Sequence, residues 1–216
     1  MLFKKTSMIV LWSFLLWSTI IHARPISYPG GVMIMQENNS DSNSLMLNYS
    51  PTAKYSVGYT VEYWQDKKWQ FHGGQFNYLL NRWNFPKSQA NLYFESAVGM
   101  AYSDNNALNH AIRPATFTGI AFDWEDRDYF ASYNNRLVYA KDIETAYMQK
   151  ARVGITPYVG DYGDLHTWFM VELAHNTTSK NPIIVTPMIR LFKNEYLAEF
   201  GISNKGDILL NWTTIF

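Results

Sequence analysis

From residue 31 to the last residue, the chain repeats one pattern. Segments of about 6 to 12 residues, in which apolar and aromatic side chains alternate with small or polar ones, are separated by clusters of Asn, Asp, Ser, Gly and Pro. The stretch 55–64 is the clearest: Tyr55, Val57, Tyr59, Val61 and Tyr63 fall on one side, Ser56, Gly58, Thr60 and Glu62 on the other. A helix would spread these residues around its axis, whereas an extended strand sorts them onto two faces. The same sorting predicts about twelve strands, at 31–36, 44–49, 55–64, 69–80, 90–102, 115–125, 129–139, 145–158, 165–175, 182–192, 196–203 and 207–216, with ten as the other possible count. Their connections are short, and turns such as Asn204-Lys205-Gly206 favour sequential hairpins. The expected architecture is therefore all-β, a closed antiparallel up-and-down barrel in which pairing of the first and last strands removes the open edges. Two residues sit uneasily in this scheme. Pro187 falls in mid-strand, where a missing N–H suggests a bulge, and Asn135 lies on an otherwise oily face. The longest loop is expected at 103–114.

Ahead of the strands, Lys4 and Lys5 precede an uncharged apolar run from Met8 to Ile21, and Ala23 supplies a small residue for cleavage. This pattern reads as a secretory signal peptide over 1–23, leaving a single β-barrel domain over 24–216. Losing the two lysines makes the exported chain slightly acidic, so no nucleic-acid partner is expected. The chain has no Cys, which excludes disulfides and thiolate chemistry although export would permit them.

The oily face could look inward, as in a soluble lipocalin-like barrel that binds an apolar ligand, or outward to lipid, as in a transmembrane β-barrel with a polar lumen. The minor face collects Glu62, Glu95, Asp123, Glu125, Arg136, Lys150, Arg152, Glu172, Arg190 and Glu199, which are expected to line the lumen and to pair there. Tyr63, Trp64, Trp69, Tyr102, Trp124, Tyr129, Tyr139, Tyr158, Trp168 and Tyr196 lie near strand ends, where aromatic rings anchor at bilayer interfaces. The final stretch sets Ile208, Leu210, Trp212 and the terminal Phe216 on one face, expected to meet lipid, opposite Leu209, Asn211 and Thr213.

That ending resembles the C-terminal strand of bacterial outer-membrane β-barrels, in which a terminal Phe follows apolar residues at alternate positions. The resemblance implies localisation in the outer membrane of a Gram-negative bacterium. It also implies recognition by the barrel-assembly machinery during biogenesis, with outer-membrane lipid as the neighbour of the oily face. The expected role is non-enzymatic: a narrow, porin-like pore admitting a small solute or ion, or a structural surface component.

Candidate chemistry is sparse. His72, His110, His166 and His175 show no local pattern resembling the outer-membrane phospholipases, and Asp164 with His166 is the best His/acid pair. A barrel-embedded lipid-modifying enzyme is accordingly the weakest of the readings. Asp161, Asp164 and His166 match no metal-ligand spacing, and Met33, Met35, Met46, Met170 and Met188, all assigned to the lumen side, read as filler. No cofactor, metal site or catalytic residue is expected.

Overall fold

The computed structural model describes residues 24–104, 110–161 and 163–216. The signal-peptide segment 1–23 lies outside them. Twelve strands follow in chain order: β1 Val32–Asn38, β2 Ser42–Thr52, β3 Tyr55–Trp64, β4 Trp69–Asn84, β5 Gln89–Ser103, β6 Ile112–Glu125, β7 Tyr129–Ala140, β8 Glu144–Ile155, β9 His166–Asn176, β10 Ile183–Lys193, β11 Tyr196–Ile202 and β12 Ile208–Ile215. Each pairs antiparallel with its sequence neighbours, and β1 pairs with β12 to close the barrel.

The faces follow the alternation. Tyr59, Val98 and Val153 are 49%, 72% and 60% exposed on the outside, whereas Glu172 is 3% exposed and sits within. An apolar face turned inward, as a lipocalin-like cup requires, is therefore not what the chain builds. Ile208, Leu210, Trp212 and Phe216 of the final strand are all exposed on the outer surface. Trp212 Nε1 there donates to Gln36 Oε1 at 2.7 Å, bridging the β1–β12 seam.

The two uneasy residues have local explanations. Pairing of β10 with β9 runs unbroken through Pro187, which faces Val171 without a bulge. The ladder from β10 to β11 starts one residue later, at Met188, so the proline stands at the ladder's end, where a missing donor costs little. Asn135 is outward, and its side-chain oxygen accepts the Ile120 backbone N–H at 3.3 Å. Bulges occur elsewhere, between Tyr49 and Thr52 in β2 and between Leu79 and Asn81 in β4. The second restores the inward parity to Arg82, which donates to buried Asn91 at 2.7 Å.

Several strands outrun their expected ends: β4 continues to Asn84, and β5 and β6 shorten the connection between them to 104–111. The longest connection is instead 156–165, between β8 and β9, because β8 stops at Ile155 and not at Tyr158. Odd-numbered strands run away from the end that holds Val32 and Phe216, so 156–165 lies at this terminus end and 104–111 at the far end. The turn at Asn204-Lys205-Gly206 forms as expected, with Gly206 at φ +87° and the Ser203 hydroxyl accepting the N–H groups of Lys205 and Asp207.

Candidate functional site: the barrel lumen

Inward-facing side chains fill the barrel in layers. At the far end, the β3–β4 hairpin turns Trp64 and Trp69 inward, where their rings stack at 5.1 Å between centroids. Trp69 is fully buried, and its Nε1 donates to Glu144 Oε2 at 2.7 Å. Thr178 also donates to Glu144, and the ammonium of Lys67 approaches it at 3.3 Å. These two tryptophans, and Trp168, therefore do not belong to an interfacial girdle: strand parity puts all three inside, with Trp168 packed near Phe130, Met170 and Met188. The far-end layer also holds Phe71 and Phe117, set against Val138 and the small residues Ala97, Ala101, Ala115, Ala140 and Ala146. Large rings on some strands thus meet methyl groups on others.

The middle of the lumen is polar. Glu62 on β3 takes both carboxylate oxygens to Nη2 of Arg136 on β7, at 2.8 Å each, and that guanidinium lies 3.6 Å over the Phe117 ring. Lys150 on β8 approaches Glu37 on β1 at 3.8 Å. Arg152 donates to Glu172 at 2.6 Å and approaches Glu199 at 3.3 Å. Glu199 in turn accepts from Arg190 at 2.7 Å and from Asn211 at 2.8 Å. Glu95 accepts from Asn134 at 3.0 Å. The logic is that of any buried charge: removal from water is tolerated when partners and extra hydrogen bonds replace hydration. Around these groups runs a cavity of about 260 Å³, lined among others by Glu95, Lys150, Arg152 and Asp207.

At the terminus end, residues ahead of β1 fold back into the lumen. Asp123 and Glu125 receive the guanidinium of Arg24 there, and Asp123 also accepts from Asn91 at 2.7 Å. All ten minor-face charges therefore occupy the inner side, where they contact other side chains.

Sequence reasoning missed Arg24, Glu37, Glu144, Trp64 and Trp69 as members of this interior. Glu37 and Glu144 were legible in principle, since extending the strands by one residue at constant parity turns both inward. Nothing local marks Arg24, whose partners lie 65 to 101 residues further along the chain.

The His/acid pair does not form a catalytic arrangement. Asp164 accepts the backbone N–H of Asp161 at 3.0 Å within its turn, and the His166 ring packs against Phe192 with centroids 6.1 Å apart. His72 and His175 face outward and bond to Tyr59 and Gln149 respectively. Among the described residues, no group of three or more His, Asp or Glu side chains is placed to hold a metal ion.

The sequence matches no family model and no curated protein. In three dimensions, the barrel is similar to two structures of a KdgM porin. The first is 8% identical, with a TM-score of 0.50 over 86% of this chain and 98% of the porin. The second, described as in complex with disordered oligogalacturonate, is 10% identical, with a TM-score of 0.51 over 86% and 99%. This is the fold of a bacterial outer-membrane β-barrel. LpxR from Salmonella typhimurium also superposes on this outer-membrane fold, over 86% of this chain and 99% of that one, at 9% identity and a TM-score of 0.46. Within such a barrel, the polar and charged lumen is the region where any solute would meet the protein.

Proposed function

We propose that this chain is a narrow, non-enzymatic pore of the outer membrane of a Gram-negative bacterium, passing small ions or small polar solutes. The supporting observation is the polar cavity within the charge-paired lumen. At about 260 Å³ it is below the ~300–1,000 Å³ typical of sites for drug-sized ligands, which argues for small solutes. The apolar outer surface supports a lipid neighbour, because rows of exposed hydrophobic side chains such as Phe169, Val171 and Leu173 on β9 are costly in water. Export by a signal peptide removed after about Ala23, and recognition of the Phe216 strand by the assembly machinery, complete this reading.

A second reading, a closed barrel with a structural role at the cell surface, is favoured by the Trp64–Trp69 stack at the far end and by the inserted residues near Arg24 at the other. Planar-bilayer recording of the reconstituted protein separates the two. Discrete conductance steps in simple salt support the pore, and an electrically silent insertion leaves the structural role. An oligogalacturonate is a natural further probe, since one similar porin is described in complex with it.

A further inference from the structure

Charge along the cavity is not balanced. Apart from the Arg24 cluster at the terminus end, seven acids and four bases line it, and residues 105–109 and 162 bring no charge of their own. Each base has an acid against it: Arg136 meets Glu62, Lys150 meets Glu37, and Arg152 meets Glu172 and shares Glu199 with Arg190. Three acids remain. Glu95, half-way along β5, accepts from the Asn134 amide at 3.0 Å. Asp207 in the β11–β12 turn accepts from the Ser203 hydroxyl at 3.2 Å, and Asp41 in the β1–β2 turn accepts from Asn176 and Ser179. Among the described residues, no Lys or Arg nitrogen comes within 4.0 Å of these three carboxylates. Pairing cancels the other four acids against the four bases, so the net charge of this wall is that of Glu95, Asp41 and Asp207.

Their places form a route. Because β1 pairs with β12, the turns holding Asp41 and Asp207 are neighbours at the far end, and the cavity wall runs from them to Glu95 in mid-barrel. Near Glu95 the wall offers further oxygens. Gly58 on β3 pairs with Asn48 on one side and with Gln75 on the other, and Gln75 pairs in turn with Ala97, two residues from Glu95 on the same inward face. A Cβ at Gly58 would stand 2.2 Å from Asn48 Oδ1, so the bare glycine lets the Asn48 amide lie across β3. Both polar atoms of Asn48, and Gln75 Oε1, have no hydrogen-bond partner among the described residues, although the two side chains are 1% and 8% exposed and line the cavity. Uncharged oxygens at such a wall replace part of the water that a cation sheds on entering.

We propose that the lumen selects small cations over anions, with Glu95 setting the preference in mid-barrel and Asp41 and Asp207 gathering cations at the far-end mouth. Fixed negative charge between low-dielectric walls raises the local concentration of cations and expels anions, as acidic rings do in cation channels. This selectivity rests on the pore reading, because a carboxylate with no cation beside it keeps its charge only where water reaches it.

Wild type, Glu95→Gln, Glu95→Lys, Asp207→Asn and Glu195→Gln are reconstituted in planar bilayers at mildly alkaline pH under a KCl gradient, and the reversal potential gives the potassium-to-chloride permeability ratio. Wild type should favour potassium by roughly fivefold or more, and Glu95→Gln should lose about half of that ratio or more. Glu95→Lys should abolish or invert the preference. Asp207→Asn, at the mouth, should lower the potassium current in dilute salt and much less in concentrated salt, where mouth charges are screened. Glu195→Gln removes an equal charge from the β10–β11 turn, outside the cavity lining, and should leave the ratio unchanged. A wild type that passes chloride as readily as potassium overturns the selectivity and leaves the pore standing. A selective wild type that Glu95→Lys matches overturns the part assigned to Glu95. Electrical silence of the wild type removes the pore, and the selectivity with it. Should the Glu95 variants lack the heat-dependent gel mobility of a folded barrel, the wild-type ratio and Asp207→Asn decide the matter.

Discussion

Glu62 and Arg136 stand on strands four apart in the barrel, yet both oxygens of the carboxylate reach one guanidinium nitrogen at 2.8 Å. A wall contact between neighbouring strands would leave the centre open, and this one bridges it. Glu62→Gln alone should cost about 3–5 kcal/mol, because it strands the Arg136 charge in the interior. Replacing both with apolar residues of similar volume should come back close to wild type. A double-mutant cycle, read from the temperature at which the barrel loses its compact gel mobility, checks the coupling.

The Trp64–Trp69 stack makes a second expectation. Trp69→Phe keeps a ring in place but deletes the donor to Glu144, leaving a buried carboxylate with fewer partners. A loss of about 1–3 kcal/mol is expected, with Trp64→Phe costing less because its indole N–H has no hydrogen-bond partner among the described residues. Unfolding midpoints of the two variants in urea give the comparison.

Gly73 and Gly99 face each other across the β4–β5 ladder. A methyl group on Gly99 would lie 2.0 Å from the His72 carbonyl oxygen and 2.5 Å from the Gly73 Cα, both of them backbone. Gly99→Ala should therefore push the two strands apart and destabilise the barrel by about 1–3 kcal/mol. Gly74→Ala, where a Cβ meets nothing within 4 Å, should be tolerated.

On the outer face, Val98→Arg should slow or block insertion into lipid vesicles at a cost of about 2–4 kcal/mol. The same change on a barrel standing in water would be nearly neutral, so normal behaviour of this variant would count against a lipid-facing surface.

In the turn between β1 and β2, burial raises the Asp41 carboxyl above its ordinary value, against the opposing hydrogen bonds of Asn176 and Ser179. A carboxyl whose folded value exceeds its unfolded one favours the folded state while protonated, and that contribution is lost as pH rises through the raised value. Asp41→Asn should accordingly unfold at a higher temperature than wild type near neutrality. The advantage should shrink as both are acidified below the ordinary carboxylate range, and melting curves across pH reveal it.

Much of this molecule could be read from its alternation alone. The period of two over residues such as Tyr55 to Tyr63 is a local property, and it assigned faces correctly wherever it was followed without exception. Faces are misassigned where another cue outranks parity: Trp64 and Trp69 suggest an interface because they are aromatic and terminal, although counting in twos from Glu62 puts Trp64 inside. Strand 69–80 is hard to sort into faces from sequence because its inward positions mix Phe71, Gly73, Gln75 and Asn77, residues with no common chemistry beyond pointing into the same lumen. The placement of Arg24 was not legible at all. Its partners are determined by barrel closure, which brings distant segments to one mouth, and no short-range pattern encodes that.

The hydrogen bond from Trp212 to Gln36 joins residues 176 positions apart in the chain. A ring sealed by its first and last staves stays unsealed until the last stave arrives. Until then the growing ribbon exposes two raw backbone borders, each able to capture a stray β-segment from another molecule. A chain shortened by even its final stave would keep every other hairpin and still lack a closed form, so such truncations should accumulate as aggregates or be cleared by proteases.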